Sequence, residues 1–146
     1  MFIGGFLLTS CENWLDLKPV DQATEEQIYS TAEGYRSVLN GLYKTMGSTS
    51  MYGRELSFGF LDCLSQQYDL TEGNMATELY RAAGNFQYDN TFVNDVVENI
   101  WKTSFNVIAN ANNLIQNIEN ESPEIFKEKE QEKNLILGEA YACRAL

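Results

Sequence analysis

The chain has 146 residues, with 10 Lys and Arg against 21 Asp and Glu, and a formal charge of −11. At 44 % hydrophobic residues it is too apolar for a disordered tail, and its length fits one domain or a part of one. The negative balance excludes a clustered Lys/Arg grip on nucleic acid or on an anionic leaflet. The absence of His excludes histidine bases, Ser-His-Asp and Cys-His arrangements and His-ligated metals within the chain.

Met1 to Ser10 is an uncharged apolar run that ends in small residues before Cys11. A membrane-spanning helix needs roughly 20 apolar residues, so this run is too short to span and reads as the apolar region of an export signal. Leu8-Thr9-Ser10-Cys11 has the form of a bacterial lipobox, where small side chains admit the peptidase and the Cys thiol takes the diacylglyceryl group. No Lys or Arg precedes the run, a departure from the usual basic start that points to a truncated or miscalled beginning. The alternative is an ordinary apolar cysteine in a buried N-terminal segment. On the lipobox reading, residues 1–10 are a signal peptide and residues 11–30 a lipidated N-terminus followed by an extended tether that docks through Trp14 and Leu15, with Pro19 blocking helix.

From Thr31 the pattern changes. Tyr35, Val38, Leu39, Leu42, Tyr43 and Met46 recur on one face of a helix, with Thr31 as N-cap, Glu33 in the first turn and Gly47 as the stop. Leu56, Phe60, Leu64 and Tyr68 recur every four residues and predict a second helix over 54–68. Residues 69–74 read as a loop, residues 75–83 as a short helix and residues 84–91 as turns. Asp69 to Gly73 departs from a calcium loop, because its Gly is one place early and no Glu stands at the twelfth position.

The strongest periodicity follows. Val93, Val97, Ile100, Trp101, Ser104, Phe105, Ile108, Ala111, Asn112, Ile115 and Ile118 trace one stripe. Glu119 to Ser122 is a polar break, and Ser122-Pro123 marks the start of a last helix carrying Ile125, Leu135, Ile136, Ala140 and Tyr141. Two long helices so joined form an antiparallel hairpin. No strand pattern is comparable, so the fold class is all-α. The last pattern reaches Leu146 without a stop signal, and the chain reads as the N-terminal part of something longer.

No Walker loop, G-x-G-x-x-G or G-x-S-x-G is present, and abundant carboxylates alone do not identify a glycosidase pair. Cys63 and Cys143 have neither metal-ligand nor C-x-x-C spacing, and a disulfide between them is left open. Metal and cofactor are therefore assigned as none. The 18 aromatic residues fall mostly on helical stripes, while Tyr52, Tyr68, Tyr80 and Tyr88 lie in or near irregular segments and are the better candidates for exposure.

Four phrases stand in order: Trp14-Leu15-Asp16-Leu17-Lys18-Pro19 after the Cys; Tyr35 with Leu39-Asn40-Gly41-Leu42-Tyr43; Ile100-Trp101 with Phe105, Ile108 and Ala111-Asn112-Asn113-Leu114-Ile115; and Gly138-Glu139-Ala140-Tyr141-Ala142-Cys143-Arg144-Ala145. Together they resemble the N-terminal region of the SusD/RagB family of outer-membrane nutrient-binding lipoproteins, with residues 31–146 as a helical region truncated at its C-terminus. The resemblance implies an incomplete part of a larger α-superhelical domain, built of tetratricopeptide-like helical hairpins with irregular loops. It implies that Trp101, Phe105, Ile108, Ala111 and Asn112 build a hairpin core, with Asn112, polar on an apolar stripe, bonding a neighbouring backbone group, and that Glu139 and Arg144 hold helices together. The 34-residue repeat signature itself is absent.

The resemblance also implies a lipid anchor on Cys11, with Glu12 and Asp16 in an acidic stretch that directs such proteins outward. It implies a surface-exposed place on the outer membrane of a Gram-negative bacterium and a TonB-dependent, SusC-like transporter as partner. The cargo would be an oligosaccharide or a peptide, and no catalysis would occur. The ligand-binding residues remain unassigned, because the family's pocket draws largely on parts outside this chain. The alternative of another class is a helical-repeat scaffold that binds proteins and no small solute.

Overall fold

A computed structural model describes residues 24–70 and 77–146. The lipobox with Cys11, Glu12, Trp14 to Pro19 and most of the loop expected over 69–74 lie outside the described residues. Among the described residues there are helices and turns and no strand, so the fold is all-α as expected.

Helix α1 (Glu25–Ile28) falls in the stretch expected to be extended. A capping box forms it: Gln27 N–H donates to the Thr24 hydroxyl, and Thr24 N–H donates to Gln27 Oε1 at 2.9 Å. Helix α2 (Ala32–Met46) has the predicted bounds, with Gly34 N–H donating to the Thr31 hydroxyl at 3.2 Å and Gly47 at the C-cap. Gly34 is obligatory for the meeting of α1 and α2, because a Cβ there would lie 1.6 Å from the Ile28 carbonyl oxygen.

The helix predicted over 54–68 shrinks to α3 (Phe60–Leu64). Residues 47–59 instead form successive turns folded around the buried Glu55 carboxylate, whose Oε2 accepts from Phe60 N–H at 3.0 Å at the start of α3. Helix α4 (Glu78–Gly84) is the short helix expected next. Helix α5 (Thr91–Glu119) has 29 residues and spans about 43 Å at 1.5 Å per residue; the Asn90 side chain caps it by accepting from Phe92 N–H.

Ser122-Pro123 starts only a 3₁₀ turn (Pro123–Ile125). The chain then extends so that Phe126 enters the core, 5.4 Å from the Tyr35 ring, and α6 (Glu130–Ala145) begins after Lys129, which has φ 50°. Glu132, buried in the first turn of α6, accepts from Glu128 N–H at 3.1 Å and from Arg36 Nε at 2.7 Å. It thereby satisfies amide groups at the helix start and a cation from α2.

α5 and α6 form the predicted antiparallel pair, with α2 packed against both. Their core comprises Tyr35, Leu39, Leu42 and Met46 from α2, Val107, Ala111, Leu114, Ile115 and Ile118 from α5, and Ile136, Ala140 and Cys143 from α6. Burying one such Leu or Ile contributes about 1.5–3 kcal/mol relative to exposure. A smaller core joins Phe60 and Cys63 of α3 and Ala82 and Ala83 of α4 to Val93 near the start of α5. Cys63 and Cys143 are free thiols, one in each core, which settles the open disulfide.

One expectation about α5 is overturned. Of the five residues assigned to the hairpin core, only Ala111 is buried; Trp101 is 65 % and Phe105 51 % exposed, Ile108 is half-buried and Asn112 exposed. The buried stripe runs through Val107, Ala111, Leu114 and Ile118, about 100° around the helix from Trp101, Phe105, Ile108 and Asn112. Asn112 Oδ1 accepts from Arg144 Nη1 at 3.2 Å rather than bonding backbone. Arg144 thus joins α6 to α5. The Tyr43 hydroxyl donates to Glu139 Oε2 at 2.6 Å and joins α2 to α6, as expected of Glu139.

Candidate functional site

The sequence assigned one site residue, Cys11, which lies outside the described residues, and no ligand contact. A polar cleft of about 470 Å³ opens where α3, α4 and the start of α5 converge. It is lined by Gln66, Tyr68, Glu78, Arg81, Asn85 and Asn90, among others.

Local geometry builds its walls. Gln66 takes a left-handed backbone (φ 60°), and its Nε2 donates to the Cys63 carbonyl at 3.2 Å and to the Gly84 carbonyl at 2.7 Å, stapling the ends of α3 and α4 together. Gly84 lets Leu70 close the floor, since a Cβ there would lie 2.5 Å from Leu70 Cδ1. The Tyr68 hydroxyl donates to the Phe58 carbonyl at 2.7 Å, so the exposed ring stands at the rim in a fixed pose. A turn at Phe86 (φ 56°) brings Asn85 and Gln87 to the same mouth.

Beside the cleft, Glu55 accepts from Arg54 Nε at 2.7 Å and from Phe60 N–H, with the Tyr80 hydroxyl at 3.5 Å. Burial pushes the Tyr80 hydroxyl and the Cys63 thiol up from their ordinary values, the Glu55 charge adding to both, so both stay protonated and unreactive. Side-chain amides can both donate and accept, and an exposed ring offers an apolar face. The cleft therefore offers partners to a ligand rich in hydroxyl or amide groups.

A second groove, of about 450 Å³, lies between α1 and α5. Its polar groups bond one another. Asn113 Nδ2 donates to Glu25 Oε1 at 2.7 Å, the Tyr29 hydroxyl donates to Asn113 Oδ1 at 2.6 Å, and the Tyr35 hydroxyl lies 3.3 Å from Glu121 Oε2. This groove is a clasp that holds α1 on α5. Among the described residues no group of three or more Cys, Asp or Glu is placed to hold a metal ion, and no helix is long and apolar enough to cross a membrane.

Of the four tyrosines expected at the surface, Tyr52, Tyr68 and Tyr88 are exposed and Tyr80 is half-buried; only Tyr68 lines the cleft. Gln66, Arg81, Asn85, Gln87 and Asn90 carried no signal, since they come from two short helices and the turns beside them.

Neither a protein-family model nor a solved structure matches the chain. It is 29 % identical over 120 residues to SusD-like protein P25 of Formosa agariphila, an alignment covering 78 % of this chain and 22 % of that protein. It is 27 % identical over 140 residues to SusD-like protein P2 of the same organism, covering 94 % of this chain and 25 % of that protein. The chain thus spans about a quarter of the length of the curated relatives it matches. The chain is thus similar in sequence to two SusD-like proteins over most of its own length, which supports the family resemblance that its ordered motifs carry.

Proposed function

We propose that this chain belongs to a surface-exposed outer-membrane lipoprotein that binds a nutrient and delivers it to a TonB-dependent, SusC-like transporter. The observation that carries the reading is the co-linear similarity to two SusD-like proteins over 78 % and 94 % of the chain. The lipobox-like Leu8-Thr9-Ser10-Cys11 supports the anchor. In this reading Cys11 carries the lipid, Glu12 and Asp16 belong to the outward-directing stretch, and the protein binds its ligand without transforming it.

The ligand is an oligosaccharide or a peptide. Both are rich in groups that pair with side-chain amides, and the cleft at Tyr68, Asn85, Gln87 and Asn90 supplies such amides beside an aromatic ring. The cleft forms part of the wall that holds the ligand.

Metabolic labelling with a palmitate analogue tests the anchor. Wild type takes label and Cys11→Ala does not; an unlabelled wild type defeats the anchor. Calorimetry of the full-length protein against oligosaccharide and peptide panels, with co-purification of the transporter, tests the binding reading. A full-length protein that binds proteins but no glycan or peptide is the helical-repeat scaffold instead.

A further inference from the structure

α5 has 29 residues and α6 has 16, so α6 covers only the C-terminal part of its partner. The register between them is fixed by side chains. Lys133 Nζ donates to the Glu121 carbonyl at 2.8 Å near the start of α6, and Arg144 Nη1 donates to Asn112 Oδ1 at 3.2 Å near its end. Asn112 belongs to the same helical stripe as Ile108, Phe105, Trp101 and Val97. α6 therefore already lies along this stripe at its C-terminal end. Beyond Asn112 the stripe loses its cover, and Val97, Trp101 and Phe105 are all exposed. Trp101 and Phe105 lean on each other with ring centroids 4.7 Å apart. Three large apolar side chains in one uncovered row are unusual for a surface that meets only water.

Two antiparallel helices advance by the same 1.5 Å per residue in opposite directions. Extrapolated past Arg144, the line of α6 meets Ile108, Phe105, Trp101 and Val97 about four, seven, eleven and fifteen residues later. That spacing is the periodicity of one helix face. All four of these positions fall beyond residue 146. The relatives are about four times as long as this chain, so the length of polypeptide such a segment requires has a counterpart in them.

We propose that the uncovered stretch of α5 from Val97 to Phe105 is the seat of a helical segment of the same polypeptide that prolongs the line of α6 past residue 146. The segment presents apolar side chains at the four facing positions and turns the α5–α6 pair into one hairpin of matched arms. The exposed stripe is then an intramolecular packing face and not a docking surface for cargo.

The test is thiol accessibility in the full-length protein, with wild type as the background for its own cysteines. Phe105→Cys sits on the stripe, and Lys102→Cys sits on the same stretch of helix at a solvated position. Maleimide is expected to label Phe105→Cys at least about tenfold more slowly than Lys102→Cys, at every protein concentration. Val97→Cys repeats the measurement should Phe105→Cys fail to fold. Equal labelling rates overturn the proposal. Protection that disappears on dilution overturns it too, because the occupant is then a second copy.

Discussion

Arg36 and Glu132 stand 96 residues apart in sequence, and Arg36 Nε donates to Glu132 Oε1 at 2.7 Å. The pair joins the first turn of α6 to α2. Glu132 is buried, whereas the Arg36 side chain is half in water. The carboxylate also accepts from Glu128 N–H, so removing it strips a helix start and an ion pair together.

That carboxylate sets an acid limit on stability. The backbone hydrogen bond from Glu128 holds Glu132 below its ordinary value of 4.5, with the Arg36 hydrogen bond and charge adding to the effect against the cost of burial. A depressed folded-state pKa contributes stability that is present above the ordinary value and lost as pH falls through the folded one. Thermal melts taken downward from pH 6 are expected to fall below about pH 4.5. In Glu132→Gln the melting temperature is lower at neutral pH and the acid decline is shallower. An unchanged acid decline in that variant removes Glu132 from the account.

The alkaline limit has a different origin. Burial pushes the Tyr29 hydroxyl up to about 12, with the Glu25 charge adding, and pushes Tyr35 up to about 12, with Glu121 adding. A raised folded-state pKa contributes stability that is complete below the ordinary value of 10 and lost as pH rises toward 12. Ultraviolet titration of the phenolates is expected to find Tyr29 and Tyr35 among the late tyrosines, beside Tyr43, which its hydrogen bond to Glu139 also raises, and Tyr29→Phe with Tyr35→Phe removes two phenolates from the late phase.

Two glycines of α2 separate sterics from propensity. Gly34→Ala places a Cβ against the Ile28 carbonyl and must displace α1, at a cost of about 1–3 kcal/mol. Gly41→Ala meets nothing within 4 Å and gains helix propensity, for a stabilisation of about 0.5–1 kcal/mol. Urea denaturation of the pair reads both signs. Equal effects would mean that α1 does not abut α2 in solution.

At the cleft, Tyr68→Ala removes both the rim ring and the hydroxyl that fixes it to the Phe58 carbonyl. Affinity of the full-length protein for its best oligosaccharide or peptide is expected to fall about tenfold, equivalent to about 1.4 kcal/mol. Tyr68→Phe keeps the ring and loses less. Calorimetry on both variants decides whether this wall meets ligand.

The long periodic elements were legible before the structure. α2 begins after its Thr31 cap and ends at Gly47, because cap, stripe and stop agree. α5 was legible as a helix but not in its rotation. It carries apolar residues on two adjacent stripes, and periodicity alone does not say which one faces the core. The sequence placed Trp101 and Phe105 inside, whereas the packing of α2 and α6 selects Val107, Ala111, Leu114 and Ile118. At Pro123 a strong local start signal lost to the burial of Phe126, a tertiary effect. The turns of residues 47–59 were hidden because their organiser is one buried carboxylate, Glu55, which reads in sequence as a surface residue. The cleft was hidden for the same kind of reason: its polar side chains share no period and meet only through Gln66.

One unbroken helix belongs to both cores. The lesser assembly of Phe60, Cys63, Ala82 and Ala83 rests on the first turns of α5, and the greater one on its second half. The lesser assembly has fewer and smaller buried members and is the first to open in local unfolding, with α5 as the surviving rod. Hydrogen–deuterium exchange will therefore sort the amides into two protection tiers along a single rod, and occupancy of the cleft will slow exchange in the weaker tier alone.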